Sequence, residues 1–217
     1  IAIFGAAEGF AGPVTTVPWN GHPGAATFTF DDGMASQVTT LMPALRSRKI
    51  NATMYIYNSA GWQMGIVKAG FIAGSKAGDE IANHTQTHPS APPTDATKLT
   101  NEIVNWAGTL RAADPSIEAV TFGYPYCLTN DAMKNVVNQE NFIARNCASS
   151  TPYTWTTSNE PTWMSMQSMY VVQGDSTEIK VNAALDNAKK KRLDHHVDAR
   201  CQWKQQQHAR LGCVPVA

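Results

Sequence analysis

The chain has 217 residues, and its 17 basic and 17 acidic side chains cancel. That length fits one domain able to bury its own core, and the charge balance excludes a broadly basic surface for nucleic acid or anionic membrane. Charged residues make up only 16% while Gly, Asn, Thr and Ser are plentiful, a composition common in secreted proteins that meet neutral polymers.

In chain order, "ATFTF" ending at Phe30 reads as a strand that runs into two carboxylates and a glycine. "MASQVTTLMPALRSRK" spaces Val38, Leu41, Met42 and Leu45 as one helical face, despite Pro43. "ATMYIY" reads as a buried strand, "IVKAGFIAGSKAG" as a short helix with a glycine stop, and "DEIANHT" as a strand entering a loop. "DATKLTNEIVNWAGTLRAA" places Leu99, Ile103, Trp106 and Leu110 on one face, with Asp95 or Thr97 as N-cap. "AVTFGYPY" is a strand running into a turn, "DAMKNVVNQENF" a helix, "IARNCA" a strand, and "TEIKVNAALDNAKKK" a long helix with basic residues near its C-terminus. Strands alternating with helices predict an α/β fold, with βα units around a parallel sheet or barrel. Functional residues in such barrels collect at the C-terminal ends of the strands, and the polar clusters here fall at those ends.

No apolar run is long enough to span a bilayer, and "IAIFGAAEGFAG" has no basic n-region, which predicts that a secretion signal has been removed. Four cysteines allow two disulfides and require none; Cys127 and Cys147 flank a helix-like segment and can pair in an oxidising compartment. "NAT" at Asn51 is a glycosylation sequon, and "NHT" at Asn83 matches the same pattern.

Two clusters carry the chemistry. In "TFDDG", Asp31 and Asp32 repel each other unless a cation or a shared proton relieves them; the same residues also suit a turn with a helix cap. In "HTQTH", His84 and His88 can meet one ion if the chain makes a compact turn. Asp32 as third ligand gives two imidazoles and a carboxylate with a position left open for water.

"TFDDG", then "HTQTHP", then "YPY" at Tyr124 to Tyr126 resembles the polysaccharide deacetylases of carbohydrate esterase family 4, the NodB-homology family. The resemblance spans roughly residues 25 to 200 and implies a distorted (β/α) barrel that removes acetyl groups from chitin, chitooligosaccharides, peptidoglycan or acetylxylan. It implies Asp31 as general base and Asp32, His84 and His88 as ligands of zinc, with cobalt and nickel as other ions such a site takes. It also implies the Tyr126 backbone N–H as oxyanion donor and Tyr124, Tyr126 and Trp163 as walls of a sugar groove. The partner implied is an acetylated polysaccharide or oligosaccharide met by a secreted, cell-wall or periplasmic monomer, with no nucleic acid and no membrane. A carbohydrate-binding pseudoenzyme and an O-acetyl esterase are the alternatives.

Two departures stand out. The family's third motif often begins with an arginine that pairs with the base; here that position is Gly123, and Arg145 in "IARN" is the cation available to replace it. The family's last motif is a Leu-x-His on a final apolar strand, whose histidine protonates the leaving group. After Lys191 this chain instead reads "RLDHHVDARCQW", polar and without β periodicity. A permitted coding of Arg192 to Trp203, read after dropping its first base, gives Gly-Trp-Ile-Ile-Met-Leu-Met-His-Gly-Val-Asn, an apolar strand ending in the missing motif. The expectation is that residues 192–217 are a shifted frame and that the acid histidine belongs where Ala199 is written. Seven of the 17 basic residues lie in 189–213 and would be the whole basis for a nucleic-acid tail.

Overall fold

The computed structural model describes residues 25–147, 163–168, 181–183, 185–186 and 214–215. Its strands are Ala25–Ala26 (β1), Thr29–Phe30 (β2), Thr53–Ile56 (β3), Glu80–Asn83 (β4), Thr121–Gly123 (β5), Ile143–Arg145 (β6) and Val214–Pro215 (β7). β2 to β6 form a parallel sheet in unbroken sequential order. Sequential parallel neighbours joined by helices wind in one direction, and the result is a distorted (β/α) barrel. β1 and β7 pair antiparallel beside it.

Between β2 and β3, a π-helical turn at Gln37–Leu41 leads into Met42–Arg46 (α1). Pro43 lacks an N–H and crowds the carbonyl four residues back, and the wide turn ahead of it relieves both problems. Met42 is buried and Val38, Leu41 and Leu45 pack against the core, as their spacing predicts. Ala60–Gln63 (α2) and Gly65–Lys76 (α3) join β3 to β4. Ala96–Leu99 (α4), a π-helical stretch at Thr100–Asn105 and Trp106–Ala113 (α5) form the helical run before β5. Asp95 caps this run: its Oδ1 accepts the Lys98 N–H at 2.8 Å, which selects Asp95 over Thr97. Asp131–Glu140 (α6) joins β5 to β6, with Asn130 Oδ1 accepting the Met133 N–H at 2.8 Å.

Strand alternation sorts the side chains. Met54, Ile56, Ile81, Phe122 and Ala144 face the helices, where Leu99, Ile103, Trp106 and Leu110 meet them fully buried. The opposite face, inside the barrel, is polar. There Glu80 accepts hydrogen bonds from Thr53 at 2.9 Å and Thr121 at 3.0 Å, so its buried carboxylate is satisfied by strands on both sides. Tyr55, His84 and Arg145 continue this inner face toward the strand C-termini.

Cys127 and Cys147 form a disulfide with Cα atoms 5.3 Å apart. Asn83 is buried and donates to the Ile103 carbonyl at 2.9 Å, so the second sequon match is a structural residue. The expected helix before Lys191 is helical at 181–183 and 185–186. The rest of it, the last strand of the shifted frame and position 199 lie outside the described residues.

Candidate metal centre and active site

The site is assembled from four strand ends. Asp31 and Asp32 follow β2 directly, where the chain turns at Asp32 (φ 77°) and Gly33 (φ 65°). Gly33 is required there, because a Cβ would stand 2.9 Å from Ile56 Cγ2 in a left-handed backbone conformation. The second turn follows β4. His84 N–H donates to the Ile56 carbonyl at 3.1 Å, Thr85 N–H to Asn83 Oδ1 at 2.9 Å, and His88 N–H to Thr85 Oγ1 at 3.1 Å. Thr87 fixes the turn from outside by donating N–H and O–H to the Glu102 carboxylate at 2.8 and 2.6 Å. Thr85 and His88 both take positive φ, 65° and 56°. Five of the seven non-glycine residues with positive φ among those described lie at this site, strain of a kind that concentrates where geometry is functional.

These turns bring Asp32, His84 and His88 together, with one ligand atom from each lying within 4.8 Å of the others. Asp32 Oδ1 is 3.7 Å from His84 Nε2 and 3.4 Å from His88 Nε2. Atoms bonded to one tetrahedral ion at about 2.0–2.1 Å stand roughly 3.4 Å apart, so the donor set matches such an ion. The tautomer fits as well. His84 Nδ1 lies 2.6 Å from the Gly123 carbonyl, which can only accept; the proton therefore sits on Nδ1 and leaves the Nε2 lone pair facing Asp32. Burial pushes the His84 pKa below its ordinary value, against the opposing pull of the Asp31 carboxylate, and favours the neutral ligand form. His88 is held by rings, with Tyr57 at 5.0 Å and Tyr126 at 4.6 Å between centroids.

Beside this set, Asp31 faces the barrel interior. Arg145 Nη2 reaches both of its carboxylate oxygens, at 2.5 and 2.6 Å, and Gln37 Nε2 donates to its backbone carbonyl at 2.5 Å. A charge-assisted contact of this kind is roughly twice as strong as a neutral one. Arg145 is the Cα partner of Gly123 across β5 and β6. The guanidinium therefore comes from the strand next to the one where the sequence motif would have placed it.

The aromatic expectations divide. Tyr126 is 60% exposed and stands at the rim over His88. Tyr124 is 1% exposed, its hydroxyl donates to the Met164 carbonyl at 2.9 Å, and its ring packs on Phe122 at 5.1 Å. It is a core residue and not a groove wall, because it lies on the helix-facing side of the chain as that leaves β5. Burial pushes its hydroxyl pKa up accordingly. Trp163 is half-buried in the 3-10 turn Trp163–Ser165, whose continuation at Met166 bridges to Arg145. Sequence reasoning missed Tyr55, Tyr57 and Gln37. Period-two alternation through "ATMYIY" carries the signal for the tyrosines, since it sets Thr53, Tyr55 and Tyr57 on one face.

A (β/α) barrel with a carboxylate–imidazole donor set at the C-terminal ends of its strands carries its candidate chemistry where barrel enzymes carry theirs. The family model described as polysaccharide deacetylase matches residues 20–143, more than half of the chain. The chain belongs to that family, the NodB-homology or carbohydrate esterase family 4 deacetylases, which act on polysaccharides as hydrolases. Its fold is similar to that of the Streptococcus pyogenes deacetylase PplD, solved in complex with acetate, with 16% identity, a TM-score of 0.61 and coverage of 75% of this chain and 69% of that one. It is also similar to a family 4 carbohydrate esterase from Streptomyces lividans, with 19% identity, a TM-score of 0.54 and coverage of 82% and 95%. A polysaccharide deacetylase from Bacillus cereus shares 16% identity at a TM-score of 0.59 over 73% of this chain, which spans about half (50%) of that one. Among curated proteins, none matches the sequence closely.

Proposed function

We propose that this chain hydrolyses acetyl groups from an acetylated polysaccharide or oligosaccharide outside the cell, with N-acetylglucosamine units of chitin or chitooligosaccharides as the first substrate class. The observation that carries the proposal is the neighbourhood of two acidic residues with different partners: Asp32 with His84 and His88, and Asp31 with Arg145.

Zinc is the ion best matched to one carboxylate and two neutral imidazoles with an open position, and when bound it would polarise the acetyl carbonyl and acidify a water. Asp32, His84 and His88 would hold it. Asp31 is the general base, kept apart from the ligand set by its bond to Arg145 and oriented through Gln37. The Tyr126 backbone N–H is the donor for the developing oxyanion, and its exposed ring is the sugar platform beside His88. The two carboxylates thus have separate tasks, one ligating and one taking the proton from the attacking water.

Acetate release from chitooligosaccharides, peptidoglycan fragments and acetylxylan tests this reading. Release should require zinc after chelation, be supported by cobalt or nickel, and be greatest on the N-acetylated sugars. A protein loaded with zinc that binds these sugars and releases no acetate from any of them would be a binding module instead.

A further inference from the structure

Arg145 begins on β6, and Asp31 follows β2, at the opposite edge of the five-stranded sheet. To reach it the guanidinium crosses the inner face of the barrel, and two residues shape the passage. Its Cα partner on β5 is Gly123. A Cβ at Gly123 would stand 2.9 Å from Tyr55 Cγ, 3.0 Å from Tyr55 Cδ2 and 3.2 Å from Arg145 Nη2. Any side chain at 123 would therefore compete for the volume that the tyrosine ring and the guanidinium fill.

Tyr55, 2% exposed on β3, supplies the other wall: Arg145 Cζ lies 5.0 Å from its ring centroid. A desolvated cation is attracted to an aromatic face, and a planar guanidinium stacks there as an ammonium cannot. Arg145 has little else to fix its plane. Among the described residues, its Nε is buried without a hydrogen-bond partner, and Nη1 meets only the Cys147 sulfur, at 3.8 Å.

We infer that Tyr55 and Gly123 are positioning residues for the reaction: together they form a slot that aims the Arg145 guanidinium at Asp31. The inference rests on the hydrolase reading above for its kinetic consequences. Glycine inside a strand weakens it and marks close approach of another group, and here that group is named. Tyr55 as ordinary core packing would tolerate any apolar residue of similar size; as a wall of the slot it must keep an aromatic face.

The test is a set of variants read by acetate release and by melting of the metal-free protein. Tyr55→Leu should lower kcat about tenfold, with KM moving less than about twofold. Tyr55→Phe keeps the ring and should stay about tenfold above the leucine variant. Arg145→Gly should lose activity, and Gly123→Ala should lower kcat, because its Cβ would press on the Tyr55 ring and the Arg145 guanidinium. Equal kcat for Tyr55→Leu and Tyr55→Phe, or wild-type kcat for Gly123→Ala, would overturn the inference. If Gly123→Ala does not fold, the melts decide: Tyr55→Leu and Arg145→Met should be non-additive in the metal-free protein, as residues in contact are, and additivity overturns the slot. Should wild type release no acetate from any substrate, the hydrolase reading falls, while the melts still judge Tyr55 and Arg145.

Discussion

Asp31 and Arg145, 114 residues apart in sequence, meet inside the barrel with one guanidinium nitrogen 2.5 and 2.6 Å from the two carboxylate oxygens. Arg145 is 8% exposed, so its charge relies on this carboxylate, and a buried charge stripped of its partner is destabilising. Asp31→Asn keeps an acceptor for the guanidinium and removes the proposed base. Acetate release should fall by about 10²–10⁴, while urea unfolding of the metal-free protein should show a loss of about 1–3 kcal/mol. An asparagine variant with wild-type kcat would remove Asp31 from the proton transfer.

The pH dependence of the metal-free protein should report His84. Burial holds its folded-state pKa below the ordinary 6.5, so the unfolded chain binds the proton more readily than the folded one. Stability then rises with pH: the contribution is fully present above about 6.5 and is lost as pH falls from there through the lower folded value. Asp114 acts in a separate window. Its hydrogen bond from Lys76 holds its pKa at about 2, so its contribution persists until pH drops below the unfolded carboxylate value near 4. Melting temperature should therefore begin to fall below pH 6.5, and His84→Phe should flatten that first decline while leaving the acid limb. A His84→Phe profile that matches wild type would assign the decline elsewhere.

Much of this site was legible in local sequence, and the parts that were not share a cause. Asp32, His84 and His88 could be grouped because strand ends and short turns fix them, and the face Leu99, Ile103, Trp106 and Leu110 because helical spacing does. The barrel followed from alternating elements, and the structure bears it out. Tyr124 is not a groove residue because it continues the alternation of β5 on the side of Phe122, whereas Tyr126 is turned outward by its positive φ of 52°, which "YPY" does not announce. The slot that guides Arg145 joins β3, β5 and β6, and no local pattern encodes a contact between residues so far apart. Only the glycine where an arginine was expected pointed toward it.

Cys127 and Cys147 connect the Tyr126 turn to the end of β6. Tyr126 and Cys127 are consecutive non-glycine residues at positive φ, 52° and 59°, a pairing that relaxes unless something holds it. Opening the bond should remove about 3 kcal/mol of stability for a loop of this size and should lower kcat before the barrel melts. The measurement compares activity and melting with and without reductant, using the Cys127→Ala/Cys147→Ala double variant as the control that lacks this bond. Reduced protein with full activity would show that the turn keeps its shape unaided.

The last prediction concerns residues 192–217. The proposed deacetylation needs a general acid for its leaving group, and without one the rate should fall by about 10²–10⁴. The residues proposed as ligands and base are all upstream of 146, and in the polar "RLDHHVDARCQW" the one Leu-x-His match, Leu193 to His195, sits in no apolar strand. The shifted reading supplies both in one stroke, with the histidine falling at the position of Ala199. We propose that the protein made in its own cells carries that strand. Its intact mass and C-terminal peptides should then depart from the sequence shown after about Lys191, and a chain expressed with "RLDHHVDARCQW" should bind zinc through Asp32, His84 and His88 while turning over far more slowly than one carrying the shifted strand. A mass that agrees with the sequence through Ala217 would sink the idea and leave the acid to be found among the residues already present.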